Sequence, residues 1–292
     1  MKKLSISIVG CGWLGMPLLV SLVAAGHRVT GSSRDLDRLA DIQRAGGKAF
    51  PVDLPGRVPA GFAEGCEVLI IALPPNGRRL GERTTRDYLE KLAGLRERFL
   101  RIPALRVIFI SSTGVYGNAT QVVTERTEPT PNTESGKAVI AAERLLTELF
   151  PDTIILRLAG LIGPGRHPGR FYGGRDRPIP LADAPVNLVH RDDVIAAIRL
   201  LLENYLFKEQ KTGRAYGPVQ KLFGMEAKYR QPVFNVCAAA HPRKRDFYKA
   251  AAGPLKIAGY TAGGADGKII DSFKLRGLGW LPKWDDLSFN RF

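Results

Sequence analysis

A buried strand that runs straight into a glycine-rich turn and then an apolar helix leaves few folds open, and the first thirty-odd residues read that way. Leu4 to Val9 alternates and is rich in β-branched residues, which predicts a strand. Gly10-Cys11-Gly12-Trp13-Leu14-Gly15 follows at once, Met16 to Ala25 is an apolar helical run closed by Gly26, and His27 to Ser32 predicts a second strand. In this setting GxGxxG is the dinucleotide-binding fingerprint. Gly10 permits the tight turn, Gly12 lets the backbone approach a pyrophosphate, and Gly15 lets the helix pack on the strand. The helix N-terminus adds N–H groups and the positive end of its dipole. Trp13 and Leu14, between the second and third glycines, join the candidate cofactor contacts.

The end of the second strand bears on which dinucleotide is bound. An NAD site usually carries Asp or Glu there to take the ribose 2′-OH. This chain has Ser33 and Arg34 instead, with Arg38 a helical turn later. A hydroxyl and a guanidinium suit a 2′-phosphate, which Arg grips with a charge-assisted fork. NADP is the expected cofactor, with NAD still open; a solvated helix face is the plainer reading of the two arginines.

Beyond this unit, strands expected at Lys48–Val52, Glu67–Leu73, Arg106–Ser111 and Thr153–Leu158 alternate with helices at Thr84–Leu100 and Ser135–Leu149. That order predicts an α/β fold, a Rossmann-type doubly wound parallel sheet whose ligands lie outside the strand carboxyl ends. Asp53, at one such end, would meet an adenine amino group or else simply make a turn. Leu73 and Pro74, at another, would floor the nicotinamide ribose.

Composition narrows the function classes. A hydrophobic fraction of 45% with 24% charged residues excludes bulk disorder. Lys and Arg number 43 against 28 Asp and Glu, a net of +15 that suits anionic ligands. The three cysteines, Cys11, Cys66 and Cys237, build neither a disulfide framework nor a zinc quartet, so no metal is expected and a reducing cytoplasm is. Ser5 and Ser7 interrupt the N-terminal apolar run, against a secretory signal, and no stretch reaches the ~20 apolar residues of a membrane span. The basic stretch His241–Arg245 has no nucleic-acid-binding signature beside it and reads as a solvated face.

A family likeness enters at the fifth strand. Ile110-Ser111-Ser112-Thr113-Gly114-Val115-Tyr116-Gly117 resembles the SS-x-x-VYG stretch of the extended short-chain dehydrogenase/reductases, the NAD-dependent epimerase/dehydratase family. Leu156 to Arg166, Asn187 to Val194 and Phe234-Asn235-Val236 resemble later segments of the same family. The resemblance implies that Ser112 holds a substrate oxygen. It also implies a Tyr-x-x-x-Lys acid/base pair on the next helix, and there the chain departs. Ser135 stands at the tyrosine position and Val139 at the lysine position, or Thr133 at the tyrosine position if Lys137 is aligned instead. Such a chain is similar to the atypical branch of the superfamily.

The expected catalytic group is therefore Ser112, Tyr116 and Lys137, with Thr113 and Arg166 toward substrate. The expected division is a dinucleotide-binding domain over 1–162, rejoined by segments around 187–205 and 233–237, and a small C-terminal substrate lobe over 163–292. The basic connector 208–231 is expected to be mobile and to order over the site or at a subunit contact. The function expected is an NAD(P)-dependent oxidoreductase or epimerase-like enzyme acting on a small, polar, anionic molecule, as a possible homodimer and without nucleic acid or membrane. The competing class is a non-catalytic NADP-binding sensor or scaffold.

Overall fold

The computed structural model describes residues 3–103, 105–151, 153–205 and 232–287; the connector 208–231 lies outside the described residues. Its first half alternates strand and helix: β1 (Ser5–Val9), α1 (Gly15–Ala24), β2 (Arg28–Ser33), α2 (Leu36–Arg44), β3 (Lys48–Pro51), β4 (Val68–Ile71), α3 (Thr84–Ala93), β5 (Arg106–Ser112), β6 (Val122–Val123), α4 (Glu134–Leu149) and β7 (Ile154–Leu158). Then follow β8 (Gly160–Ile162), β9 (Leu188–His190), α5 (Arg191–Leu200), β10 (Val233–Val236), α6 (Lys244–Ala252) and β11 (Ile269–Ile270).

Seven strands form the central parallel sheet, in the order β10-β7-β5-β4-β1-β2-β3. All four residues of β4, Val-Leu-Ile-Ile, are buried, as a strand covered by helices on both faces requires. From β1 the chain steps to β2 and β3 on one side, then returns to β4 on the other, with Ile6 in register with both Val29 and Val68. The strand order therefore reverses at β1, and it is outside the carboxyl ends of the strands at such a point that open α/β sheets bind ligands. The single helix expected over 84–100 is two: α3 stops before Gly94, a poor helix former, and a short helix follows at Arg96–Phe99.

The chain divides into two compact units that interleave along the sequence. Unit 1 is Met1–Ser111, Thr133–Leu156 and Ile198–Val233; unit 2 is Ser112–Asn132, Arg157–Ala197 and Phe234–Phe292. The boundaries between the units fall within β5, β7, α5 and β10 and just before α4. Unit 2 has its own apolar core, including Ile162, Ile179, Val186, Leu188, Phe247 and Leu287. The Asp193 carboxylate fastens its C-terminal stretch, accepting the backbone N–H groups of Lys283 (2.7 Å) and Trp284 (3.0 Å). Trp280 Nε1 donates to the Asp193 carbonyl at 3.0 Å. Among the described residues, no helix is long and apolar enough to cross a membrane.

Candidate active site

In unit 1 the glycine turn is held by backbone packed on backbone. Gly10 has φ +96°, a left-handed conformation that favours glycine, and a Cβ there would lie 3.0 Å from Leu73 Cδ2 and 3.1 Å from the Ala72 carbonyl oxygen. A Cβ on Gly15 would come within 2.2 Å of the Gly10 carbonyl oxygen. The Gly10 N–H donates to Ser32 Oγ at 3.0 Å and the Cys11 N–H to the Ser32 carbonyl at 2.9 Å, which ties the turn to β2. Cys11 is buried among these groups, which pushes its thiol up to about 12 and keeps it unreactive. Gly12 differs from its two neighbours: a Cβ there would meet no protein atom within 4 Å. Its smallness serves no internal contact and leaves the backbone open to a pyrophosphate. No side chain caps the N-terminus of α1. Leu14 is buried and Trp13 half-buried beside it. The turn fits a dinucleotide.

The residues expected to choose the cofactor stand together. Arg34 Nη1 and Asp53 Oδ1 form an ion pair at 3.5 Å, with side chains 72% and 75% exposed. Ser33 Oγ accepts the Asp35 N–H at 3.1 Å, and Asp35 in turn caps α2 by accepting the Arg38 N–H at 2.9 Å. Arg38 itself reaches forward to Asp41 at 3.3 Å. An exposed pair such as Arg34–Asp53 contributes at most about 1 kcal/mol, so the guanidinium is easily drawn to a more highly charged phosphate. Leu73, against Gly10, offers its carbonyl to the Tyr88 hydroxyl at 2.8 Å, and Pro74 is exposed next to it.

The start of α4 explains what replaces a tyrosine. Thr133 Oγ1 caps the helix by accepting the Gly136 N–H at 3.1 Å. Ser135 lies under Gly77: a Cβ on Gly77 would stand 2.2 Å from Ser135 Oγ and 2.9 Å from its backbone N. The short helix Gly77–Leu80 therefore closes the space that a larger side chain at 135 would need. Val139 is buried in the hydrophobic face of α4. Lys137 points to solvent, 54% exposed, and pairs with Glu134 at 2.8 Å, a bond that raises its ammonium above the usual lysine range. Lys137, expected in the catalytic group, is thus engaged by Glu134 within α4.

In unit 2 the segment Thr113–Tyr116 forms one 3-10 turn beyond β5. Ser112 Oγ accepts the Gly114 N–H at 3.0 Å, and its own hydroxyl hydrogen has no acceptor among the described residues. Thr113 is buried, and its hydroxyl donates to the Leu158 carbonyl at 3.3 Å rather than facing a substrate. Tyr116 is fully buried. Its hydroxyl donates to Asn235 Oδ1 at 2.9 Å and accepts from Arg157 Nη1 at 2.9 Å, while the Arg157 guanidinium lies 5.0 Å from the ring centre. That phenol is a member of a buried polar network, not an acid open to solvent. The Asn235 N–H continues the network to Glu125 Oε1 at 2.8 Å, and burial pushes the Glu125 carboxyl up. Arg166 is exposed on the loop after β8, its N–H closing a turn onto Gly163 at 2.8 Å.

Residue-by-residue reading of the sequence missed Lys268. Its Nζ donates to the carbonyls of Thr113 (3.1 Å) and Gly117 (2.7 Å), both ends of the turn that carries Ser112. Nothing local announces it, because it sits in loop sequence 151 residues beyond Gly117. Among the described residues, no group of three or more His, Cys, Asp or Glu side chains is placed to hold a metal ion.

Residues 5–79 match the family described as NADP oxidoreductase, coenzyme F420-dependent. Over 287 residues the chain is 36% identical to Protein YeeZ of Escherichia coli (strain K12), an alignment covering 94% of this chain and 93% of that protein. Among solved structures it is similar to the UDP-glucuronic acid 4-epimerase from Bacillus cereus in complex with NAD. There the TM-score is 0.73 at 17% identity, over 96% of this chain and 94% of that one. The UDP-glucose 4-epimerase from Thermotoga maritima with UDP-glucose gives 0.69 at 19%, over 98% and 97%. A functionally unknown conserved protein from Silicibacter pomeroyi gives 0.68 at 20%, over 97% and 96%. At such identities the likeness is one of fold.

Proposed function

The chain belongs to the family of the Escherichia coli protein YeeZ, and from that premise we propose that it is an NADP-dependent oxidoreductase of the atypical short-chain class, acting in the cytoplasm on a small, polar, anionic substrate. The observation that carries this reading is the glycine turn. Of the three glycines of the turn, Gly10 and Gly15 are fixed by steric contact, while a Cβ on Gly12 would meet nothing among the described residues. Gly12 and the uncapped N-terminus of α1 would hold the pyrophosphate. Ser33 and Arg34 would hold the 2′-phosphate, with Arg34 released from Asp53. Leu73 and Pro74 would support the nicotinamide ribose. A nicotinamide, when bound, supplies hydride transfer. The hydroxyl hydrogen of Ser112 would bond the substrate oxygen, and Arg166 would draw the substrate's negative charge.

Titration calorimetry with NADPH and NADH on the wild type and Arg34→Ala tests the cofactor assignment. Tighter NADPH binding is expected, and the variant loses on the order of 1.5–3 kcal/mol of it, the worth of a charge-assisted bidentate contact. Equal affinities for the two cofactors, or an Arg34→Ala variant that binds NADPH as well as the wild type, would end it. A second reading, a dinucleotide-binding sensor without turnover, is favoured by one feature: Ser135 and Val139 replace the acid/base pair, and Gly77 covers Ser135. A hydride-transfer screen over keto and alcohol substrates separates the two. Turnover that falls in Ser112→Ala supports the enzyme; intact NADPH binding without turnover supports the sensor.

A further inference from the structure

We propose that Lys268 is the anion-recognition residue of the Ser112 turn, binding a carboxylate or phosphate group of the substrate through the one N–H of its ammonium that no described residue engages. The proposal deepens the enzyme reading above and rests on it for the identification of this turn as the substrate-bearing one. Three features of unit 2 support it.

The side chain is built in rather than draped over the surface. Asn187 Nδ2 donates to the Lys268 carbonyl at 2.8 Å, and Asn187 Oδ1 accepts the Ile270 N–H at 2.8 Å, so one amide brackets the lysine backbone on both sides. Ile269 and Ile270 then pair with Val122 and Val123 in the two-stranded β11–β6 sheet. The turn is equally fixed: Gly117 has φ +53°, and a Cβ on it would lie 2.1 Å from the Thr130 carbonyl oxygen.

The charge has no counter-charge among the described residues. An ammonium has three donors. Two go to the carbonyls of Thr113 and Gly117. Among the described residues no carboxylate lies within ion-pair distance of Nζ, unlike Lys137 with Glu134 or Arg276 with Asp285. Burial alone draws the Lys268 ammonium below the usual lysine range. A half-buried cation bonded only to neutral carbonyls lacks the partner that most repays its desolvation, and an anion supplied from outside the chain restores it.

The position is the informative one. The same turn begins at Ser112, whose hydroxyl hydrogen points to no protein acceptor among the described residues. A hydroxyl donor at the head of a rigid turn and an ammonium donor bonded to that turn's carbonyls suit a molecule that carries both a reacting oxygen and an acidic group.

The test reads Lys268 itself. Protein labelled with 13C and 15N at lysine gives a side-chain Cε–Nζ signal for each residue, and Lys268→Arg identifies the one in question. Malonate and phenyl phosphate, added separately at constant ionic strength, are the probes. A saturable displacement of the Lys268 signal by either one, with its titration moved to higher pH, is expected; which probe acts tells carboxylate from phosphate. In Lys268→Gln the affinity for that probe should fall by about tenfold or more, the loss of one charge-assisted hydrogen bond, while NADPH binding stays at its wild-type value. A Lys268 signal unmoved by both probes, chloride behaving alike, would show that the lysine only staples the turn. Because the wild type alone gives this readout, a poorly folding variant does not obscure it. Failure of the enzyme reading shows elsewhere, as absent NADPH binding or absent turnover.

Discussion

The glycine turn of unit 1 and the strand-end turn of unit 2 are both short, both follow a parallel strand, and are held in opposite ways. The first is fixed chiefly by backbone contact: Gly15 closes on Gly10 across five residues, and one distant side chain, Ser32 of β2, accepts the Gly10 N–H. The second is fixed by side chains that arrive from far along the chain. Arg157 reaches Tyr116 across 41 residues, Asn235 reaches it across 119, and Lys268 reaches Thr113 across 155. A turn of the first kind is dictated by sterics and therefore by residue type at fixed spacing. A turn of the second kind depends on partners whose spacing in sequence is arbitrary, so its chemistry can change without a visible change in its own motif.

The sharpest way to break this contrast is to add one methyl group at two positions of the same turn. Gly15→Ala places a Cβ against a carbonyl oxygen of the backbone, which cannot swing aside as a side chain would. The cost should reach or exceed the ~3 kcal/mol upper end usual for overpacking, seen as a large drop in the urea midpoint or as loss of folded protein. Gly12→Ala meets nothing and should keep the wild-type midpoint to within about 1 kcal/mol while weakening NADPH. If the two variants unfold alike, steric contact is not what fixes this turn.

The strand-end turn should respond to the loss of a single polar atom. Tyr116→Phe preserves the ring and removes the hydroxyl, and with it the bond from Arg157 Nη1 and the bond to Asn235 Oδ1 in a buried setting. We expect a destabilisation of about 1–3 kcal/mol by chemical unfolding. Because the hydroxyl is inside the network, turnover per folded molecule should change far less than in Ser112→Ala. A Tyr116→Phe protein as stable as wild type but inactive would restore the tyrosine as the acid.

The same contrast explains what could be read beforehand. The β1–α1–β2 unit was legible to within a residue, because alternation, apolar run and glycine spacing are all local. The strands at 48, 68, 106 and 154 were legible for the same reason. The break at Gly94 was not, since a single glycine inside a helical pattern weighs less than the pattern around it. At the site, Gly10, Gly12, Gly15 and the Arg34–Asp53 pair lie at strand ends that sequence locates. Thr113 and Tyr116 carry the right motif, yet their hydroxyls turn inward to Leu158 and Asn235, a direction set by partners no local pattern reveals. Lys137 has the right residue type near the right helix, but Glu134, one turn back, claims it. Lys268 had no signal at all: it acts through backbone carbonyls, which are present at every residue and so leave no mark on sequence.

The smallest expected effect concerns pH and bears on both units. His27 of unit 1, and His190 and His241 of unit 2, all have their imidazoles drawn below the usual value by burial. His27 Nδ1 accepts the Leu4 N–H at 3.3 Å and His190 Nδ1 accepts the Asp192 N–H at 3.2 Å, so a proton on either nitrogen breaks a bond to the backbone. The unfolded chain takes up these protons at higher pH than the folded one. Stability is therefore full above the unfolded imidazole value of about 6.5 and is lost as pH falls from there through the folded values. Glu125 and Asp193, both raised by burial and both in unit 2, act in the opposite sense at lower pH, where folding retains their protons. The melting temperature should thus decline from pH 7.5 to 5.5, and His190→Gln should flatten part of that slope whatever it does to the absolute value. His190 stacks on Trp284 at 4.3 Å, so its loss reports on unit 2, and His27→Gln should remove a separate share from unit 1. A melting temperature that is level over this interval, or a slope indifferent to both substitutions, would mean that these imidazoles are protonated as readily in the fold as outside it.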